Sequence, residues 1–213
     1  SENMIRRGLP QLPKRFLKLP IDHRGYPIPW FVANVDGKRD FRVADGEKRA
    51  RAAKERLCWL CGEKVGRYIA FVIGPMSAVN RNTSEPGCHR ECAEFAVQAC
   101  PFLILPDAQY RMAHLPEGTK QQPHSLPGNP GASCIWITHT FKPYRVEGGW
   151  LIRVGDPVET LWYAYGKPAT RAQIEECINR RLHFLSDIAK QQGTEAEAAL
   201  TEMVAETMRL LPA

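Results

Sequence analysis

Two short stretches concentrate the residues able to do chemistry, Cys58-Trp59-Leu60-Cys61-Gly62 and Cys88-His89-Arg90-Glu91-Cys92. Cysteines separated by two residues let one tight turn present both sulfurs, and Gly62 can take the positive φ that lets backbone N–H groups approach the thiolates. His89 and Cys92 are three apart, which places both on one side of the first turn of a helix. There, free N–H groups and the helix dipole favour a thiolate. Residues 62 to 88 are enough for a hairpin and an approach loop, and a knuckle, a hairpin and a helix carrying the last two ligands make a treble clef. The spacing therefore predicts a tetrahedral Cys₃His site of Cys58, Cys61, His89 and Cys92. Soft thiolates with one imidazole suit Zn²⁺, and four protein ligands leave no open position, so the zinc is expected to be structural. Cys88 is the rival fourth ligand and would give a Cys₄ site. His89 is preferred because Cys88 follows Pro86-Gly87 and precedes helical geometry. Cys100, Cys134 and Cys177 read as buried packing thiols.

The elements that must position these ligands follow from local signals. Pro10, Pro13, Pro20, Pro27 and Pro29 predict an extended arm, assigned to residues 1–44. Leu12, Phe16, Leu17, Leu19, Tyr26 and Trp30 imply that part of it lies against the body. Residues 45–114 are assigned to a basic helix, capped by Asp45 and running through Glu47 to Arg56, and the treble-clef unit. Tyr68 to Ile73 reads as a strand, paired in a hairpin with Met76 to Asn80, and a helix runs from about His89 to Cys100. Residues 115–131, dense in Pro, Gly, Gln, Ser and Asn, read as a linker loop. Beyond it, 132–213 hold strands at Cys134 to Phe141, Trp150 to Val154 and Glu159 to Tyr165, expected to form a small antiparallel meander. Thr170 and Gln173 form a capping box for a long helix ending near Gly193, and Thr194 with Glu197 repeats the pattern for a last one. The fold class is α+β, with the helix pair covering the meander.

Charge and composition narrow the partners. The formal charge is +6, which favours an anionic partner. Candidate nucleic-acid contacts are Arg6, Arg7, Lys14, Arg15, Lys48, Arg49, Arg51, Lys54 and Arg56, joined by Arg67 and Arg81. Tyr26, Trp30 and Trp59 are candidate rings for stacking on bases. The seven cysteines are an odd set of two clusters and scattered singles, unlike a secreted disulfide framework, so a reducing compartment is expected. The longest apolar stretch, Ile69 to Ile73, is far short of the roughly 20 residues that span a bilayer. No Walker loop, dinucleotide fingerprint or nucleophile elbow is present.

The segment from Arg56 to Leu103 resembles a group of uncharacterised phage, prophage and bacterial zinc-finger proteins, treble-clef-like in form. It carries Cys-Trp-Leu-Cys-Gly, Phe71-Val72-Ile73-Gly74-Pro75-Met76 and His89-Arg90-Glu91-Cys92-Ala93. The likeness extends to Ile28-Pro29-Trp30-Phe31-Val32, Trp162-Tyr163 and Pro168-Ala169-Thr170-Arg171. It implies a zinc-binding, phage-associated protein in the cytoplasm of a bacterial host. Three functions follow as expectations. The first is non-catalytic binding of nucleic acid through the basic N-terminal half. The alternative is a protein-binding phage factor that inhibits or modulates a host enzyme, with Trp150 to Tyr165 as aromatic anchors. The second alternative is an HNH-like nuclease, but that active site needs a further His or Asp pair on the hairpin, and Tyr68 to Asn80 holds neither. His114, His124 and His139 show no ligand spacing.

Overall fold

The computed structural model describes residues 3–99, 111–114 and 131–213. Cys100, His124 and, apart from Gly131, the expected linker lie outside the described residues.

The architecture is α+β with largely antiparallel sheets, and it departs from the expected arrangement in three places. The first is the N-terminal segment. After a single 3-10 turn at Lys14–Phe16, strands β1 (Val32–Val35) and β2 (Lys38–Asp45) form an antiparallel hairpin. Asp36 and Gly37 turn it with φ of 52° and 77°. These angles suit the primed turn that Asp-Gly favours, because its twist matches that of paired strands. As expected, the arm packs against the body: Phe16, Ile28, Phe31 and Val32 are buried, the Phe16 ring meets Phe95 edge-on at 5.2 Å, and Leu12, Leu19, Tyr26 and Trp30 pack on the core, whereas Leu17 is exposed. Prolines restrict the local backbone without preventing apolar side chains from finding the core.

Asp45 then caps α1 (Gly46–Glu55), its carboxylate accepting from the N–H groups of Glu47 and Lys48. Strand β3 (Ile69–Ile73) follows the first cysteine pair, and the second departure comes directly after it. Residues expected to return as a hairpin partner instead form α2 (Pro75–Asn80). Pro75 sits at the start of that helix, where its missing N–H costs nothing and its φ is already suitable. The short β4 (Asn82–Thr83) precedes α3 (Arg90–Ala99). β5 (Arg111–Ala113) lies parallel to β2, adding a third strand to the first hairpin.

The third departure concerns the meander. Strand β6 (Ala132–Thr138) stops earlier than expected, and β7 (Phe141–Val146) pairs with β8 (Gly149–Val154) in a hairpin of their own. β9 (Pro157–Ala164) returns to β6, and β10 (Lys167–Pro168) closes the edge. The result is one four-stranded sheet in the order β10-β9-β6-β3 and a three-stranded sheet in the order β4-β8-β7. Both sheets combine strands from before and after the expected linker. Phe71 lies opposite Trp136 and Ile73 opposite Cys134. β6 is buried along its whole length, with α2, α3 and the following helix against it.

That helix, α4 (Arg171–Gln192), has the complete capping box: Thr170 accepts from the Gln173 N–H while the Gln173 side chain accepts from the Thr170 N–H. α5 (Thr194–Met208) packs on α4 and α2. Its N-cap is Gly193, not Thr194, and no side-chain cap forms there. The chain end returns to β9, where the Leu210 carbonyl accepts from Thr160 and Trp162. No helix among the described residues is long and apolar enough to cross a membrane.

Candidate metal centre

The first cysteine pair sits in a knuckle closed by its own backbone. Leu57 bridges Lys64, the Cys58 N–H donates to the Glu63 carbonyl at 2.7 Å, and the Gly62 N–H donates to the Cys58 carbonyl at 2.8 Å. Gly62 has φ 80°, and a Cβ there would come within 2.7 Å of the Trp30 indole. Only glycine meets both the backbone angle and the close approach.

The second pair is placed by β3 and α3. Cys88 exchanges both backbone hydrogen bonds with Ala70, and the His89 carbonyl accepts the first helical bond from Ala93 at 3.0 Å. His89 is thus the residue just before α3, and Cys92 falls on its first turn. Trp59 joins the two halves through its backbone N–H, which donates to the Gly87 carbonyl at 3.0 Å.

These elements bring Cys58, Cys61, His89 and Cys92 together, with the ligand atoms all within 4.8 Å of one another. The four lie close enough to hold a metal ion. The three cysteines are buried and the imidazole is half-buried. His89 Nδ1 faces the site, 3.4 Å from Cys61 Sγ and 3.8 Å from Cys92 Sγ. A tetrahedral centre with ordinary Zn–S and Zn–N bonds sets sulfur and nitrogen about 3.6 Å apart, so these spacings fit. The other ring nitrogen, Nε2, lies 3.0 Å from the Lys64 carbonyl. Nε2–H donating there leaves Nδ1 as the ligand atom, the usual way a backbone carbonyl orients a metal-binding histidine. Cys58 Sγ accepts N–H bonds from Cys61 and His89, each at 3.4 Å.

Cys88 is buried beside this group but outside it. Burial, followed by the neighbouring Cys58 sulfur, pushes its thiol well up. Cys58 behaves oppositely: burial disfavours its thiolate, but hydrogen bonds from Cys61, Cys88, Cys92 and His89 outweigh burial and hold its pKa far below the ordinary range. Hydrogen bonds with Cys58 and Cys61 raise Cys92. For His89, burial opposes the imidazolium, yet hydrogen bonds with Cys58 and Cys61 raise it to about 10. Without a metal, the cluster holds its charge as a thiolate beside a protonated ring.

The candidate nucleic-acid residues separate into two groups. Arg49 does not belong to a basic surface: it is buried, its guanidinium 3.6 Å from the Trp150 ring and donating to the carbonyls of Ser84 and Trp150, both at 2.7 Å. A guanidinium can satisfy several carbonyls while lying flat on an indole, and α1 is pinned to β8 in this way. Lys48 donates to the Trp30 carbonyl at 2.8 Å, and burial lowers its pKa. Arg56 donates to the Gly66 carbonyl, and Arg15 pairs with Glu91 at 2.9 Å and Glu63 at 3.5 Å. Arg81 lies over Trp136 and pairs with Glu206 and Asp156.

Arg6, Arg7, Lys14, Arg51 and Lys54 are exposed, with Arg51 bound to Glu55 one helical turn away. Trp59 is buried and stacked on Phe31 at 4.8 Å, so it presents no face to a base. Tyr26 and Trp30 are half-buried under cations, Arg6 and Arg24 over the first, Lys48 and Arg51 over the second. Cys134 and Cys177 are buried, as expected of packing thiols. His114 and His139 are not part of the Cys/His cluster and contact backbone carbonyls. Comparisons with protein-family models, with curated proteins and with solved structures find no match to this chain.

Proposed function

We propose that the protein is a non-catalytic zinc protein that binds nucleic acid. The observation that carries the first half is the closed ligand set: three buried sulfurs and an imidazole whose second nitrogen is engaged by Lys64. Zinc held by four such ligands has no vacant position for substrate, which suits a structural role. The knuckle at 57–64, the bridge between Ala70 and Cys88 and the helix α3 support a treble-clef reading with its second hairpin reduced to a single bridge. That geometry gives the nuclease alternative no support, since the stretch after β3 is helical and, among the described residues, no further metal-binding pair joins the cluster.

The net charge of +6 and the exposed cations, some beside half-buried rings, support nucleic acid as the anionic partner. The test is a binding titration with single- and double-stranded oligonucleotides across salt. Phosphate neutralisation makes affinity fall steeply between about 50 and 200 mM, and a flat response or no binding would sink the reading. Exposed Leu17, Val158 and Tyr165 favour the second reading, a protein partner. A pull-down from bacterial extract separates the two: a protein recovered in stoichiometric amount after nuclease digestion favours the partner over the nucleic acid.

A further inference from the structure

Behind the knuckle, the N-terminal segment, β2 and α3 meet around a cavity. Its walls come from separate parts of the chain: Phe16 and Tyr26 before β1, Phe41 on β2, Trp59 between the two knuckle cysteines, Cys88 before α3 and Phe95 on it. The lining is almost wholly apolar and encloses about 50 Å³. One water needs roughly 10–15 Å³ and about two to four polar partners to hold it. The cavity is therefore large enough for several waters and poorly equipped to bind them, so an apolar occupant that displaces them gains affinity. The rings around it are fixed by one another. Phe16 meets Phe95 edge-on, and Trp59 stacks on Phe31 with the two planes 14° apart. Walls held in this way reduce the cost of ordering on binding.

Trp59 supplies a second, independent observation. It is buried, and its indole Nε1–H has no hydrogen-bond partner among the described residues. The other two buried tryptophans are both satisfied: the Trp136 Nε1–H donates to the Gly155 carbonyl and the Trp162 Nε1–H to the Leu210 carbonyl, each at 2.9 Å. A buried indole ordinarily engages its N–H in this way, and a donor left unmet in an apolar wall is destabilising until an acceptor reaches it. The backbone of Trp59 is tied to Gly87 and its ring to Phe31, which keeps the indole at the cavity wall.

We propose that this cavity binds a small uncharged ring compound, apolar but for one hydrogen-bond acceptor such as a carbonyl oxygen, which takes the Trp59 Nε1–H. Aromatic walls suit a flat ring through stacked and edge-on contacts. A carboxylate ligand would lose its hydration and meet like charge at Glu85, which also lines the cavity. An ammonium ligand brings no acceptor for the indole. Occupancy ties the N-terminal segment to the knuckle, because Phe16 and Tyr26 stand on one side of the occupant and Trp59 on the other. The inference does not depend on the nucleic-acid reading.

The test titrates the full chain loaded with zinc against acetophenone, its hydrocarbon isostere α-methylstyrene, and two charged analogues, benzoate and benzylammonium. NMR follows the indole N–H signals, with that of Trp59 assigned by its loss in Trp59→Phe. The expected result is saturable binding of acetophenone that displaces the Trp59 signal, with α-methylstyrene weaker by about three- to tenfold for want of the acceptor. The charged analogues should bind at least about tenfold more weakly than the ketone. Trp59→Phe keeps an apolar wall without the donor and should bind the two neutral probes alike. Ala96→Leu fills the cavity from α3 and should abolish binding of both. Zinc content and melting temperature verify that each variant is folded; should Ala96→Leu unfold, the probe ratio and the Trp59 signal in the parent decide alone. No saturable binding of acetophenone, equal affinity for ketone and hydrocarbon in the parent, or an unmoved Trp59 signal would each overturn the site. Tighter binding of benzylammonium, or unchanged binding in a folded Ala96→Leu, would overturn it as well. All of these outcomes leave the nucleic-acid reading standing.

Discussion

At the scale of single residues, the two nitrogens of His89 decide the chemistry of the site. Nδ1 faces the sulfurs and Nε2 faces the Lys64 carbonyl, so the ring can serve as ligand in one tautomer only. Cys88 sits outside the four. Replacing Cys88 with Ala is therefore expected to leave one equivalent of zinc bound, while His89→Ala should reduce it well below stoichiometric, both read by native mass spectrometry. Full retention in His89→Ala would transfer the fourth position to Cys88.

The pH dependence follows from the raised imidazole. In the metal-free cluster His89 ionises near 10 instead of its ordinary 6.5, so it carries a proton at neutral pH that a metal must displace. Because that pKa is raised, the charged ring's contribution to the metal-free fold is complete below about pH 6.5 and is lost as pH rises through 10. The metal's contribution runs the other way and strengthens as protons leave. Zinc uptake at neutral pH should release protons to the buffer, and each unit of acidification should weaken apparent affinity about tenfold per proton released. Isothermal calorimetry in buffers of different ionisation heat measures this directly.

At the scale of elements, α1 shows how one helix face can divide between surface and core. Its charge run reads from the sequence as a solvated basic face, and that holds for Arg51 and Lys54. Arg49, two residues from Arg51, points the other way and is held by Trp150 and two carbonyls. Burial pulls its guanidinium down to about 10, still charged at neutral pH. Arg49→Ala would leave two carbonyls without their charged donor and is expected to cost about 2–4 kcal/mol, read by chemical denaturation. Arg51→Ala removes an exposed ion pair and should change stability by about 0.5 kcal/mol or less. Asp45→Ala deletes the helix cap and should cost about 1 kcal/mol.

The same contrast runs through the other elements. The caps at Asp45 and Thr170, the strand at 69–73 and the long helix after Thr170 were legible because each is specified within a few neighbouring residues. The β1-β2 hairpin carried a signal in Asp36-Gly37, which the prolines before it and the charged Lys38-Arg39-Asp40 after it obscured. The helix at Pro75–Asn80 is different. Six residues cannot show a helical period, and Pro75 after Gly74 reads equally well as a turn or a first helical turn.

At the scale of the whole molecule, the candidate metal centre and the central sheet share parts. β3 lies between them: Ala70 bridges Cys88 on one side, and on the other the strand pairs with β6 along its full length. Structural zinc contributes about 10–16 kcal/mol of apparent binding energy in small peptides, comparable to the stability of an entire domain. Chelation is thus expected to loosen more than the cysteine loops. Cys134 on β6, buried and not one of the four cluster residues, with its thiol pushed well up by burial, is a reporter for this. It should resist alkylation in the zinc-loaded protein and react after chelation, with mass spectrometry locating the label. Continued protection of Cys134 once metal is gone would show that the site organises its own segment alone.

The four residues of the Cys/His cluster, two helix caps and the α+β class were decided by short-range sequence. Thiolates in pairs, a glycine that must take a positive φ and side chains that satisfy nearby N–H groups all act over a few residues. Which strand lies beside which, and which arginines face water, depended on contacts between residues far apart in the chain. β3 could have paired with the segment after it or with β6, and only the packing of α2, α3 and α4 around a fully buried β6 selects the second. Arg49 and Lys54 carry the same charge on the same helix, and it is the position of Trp150, about a hundred residues later, that buries one and leaves the other to solvent.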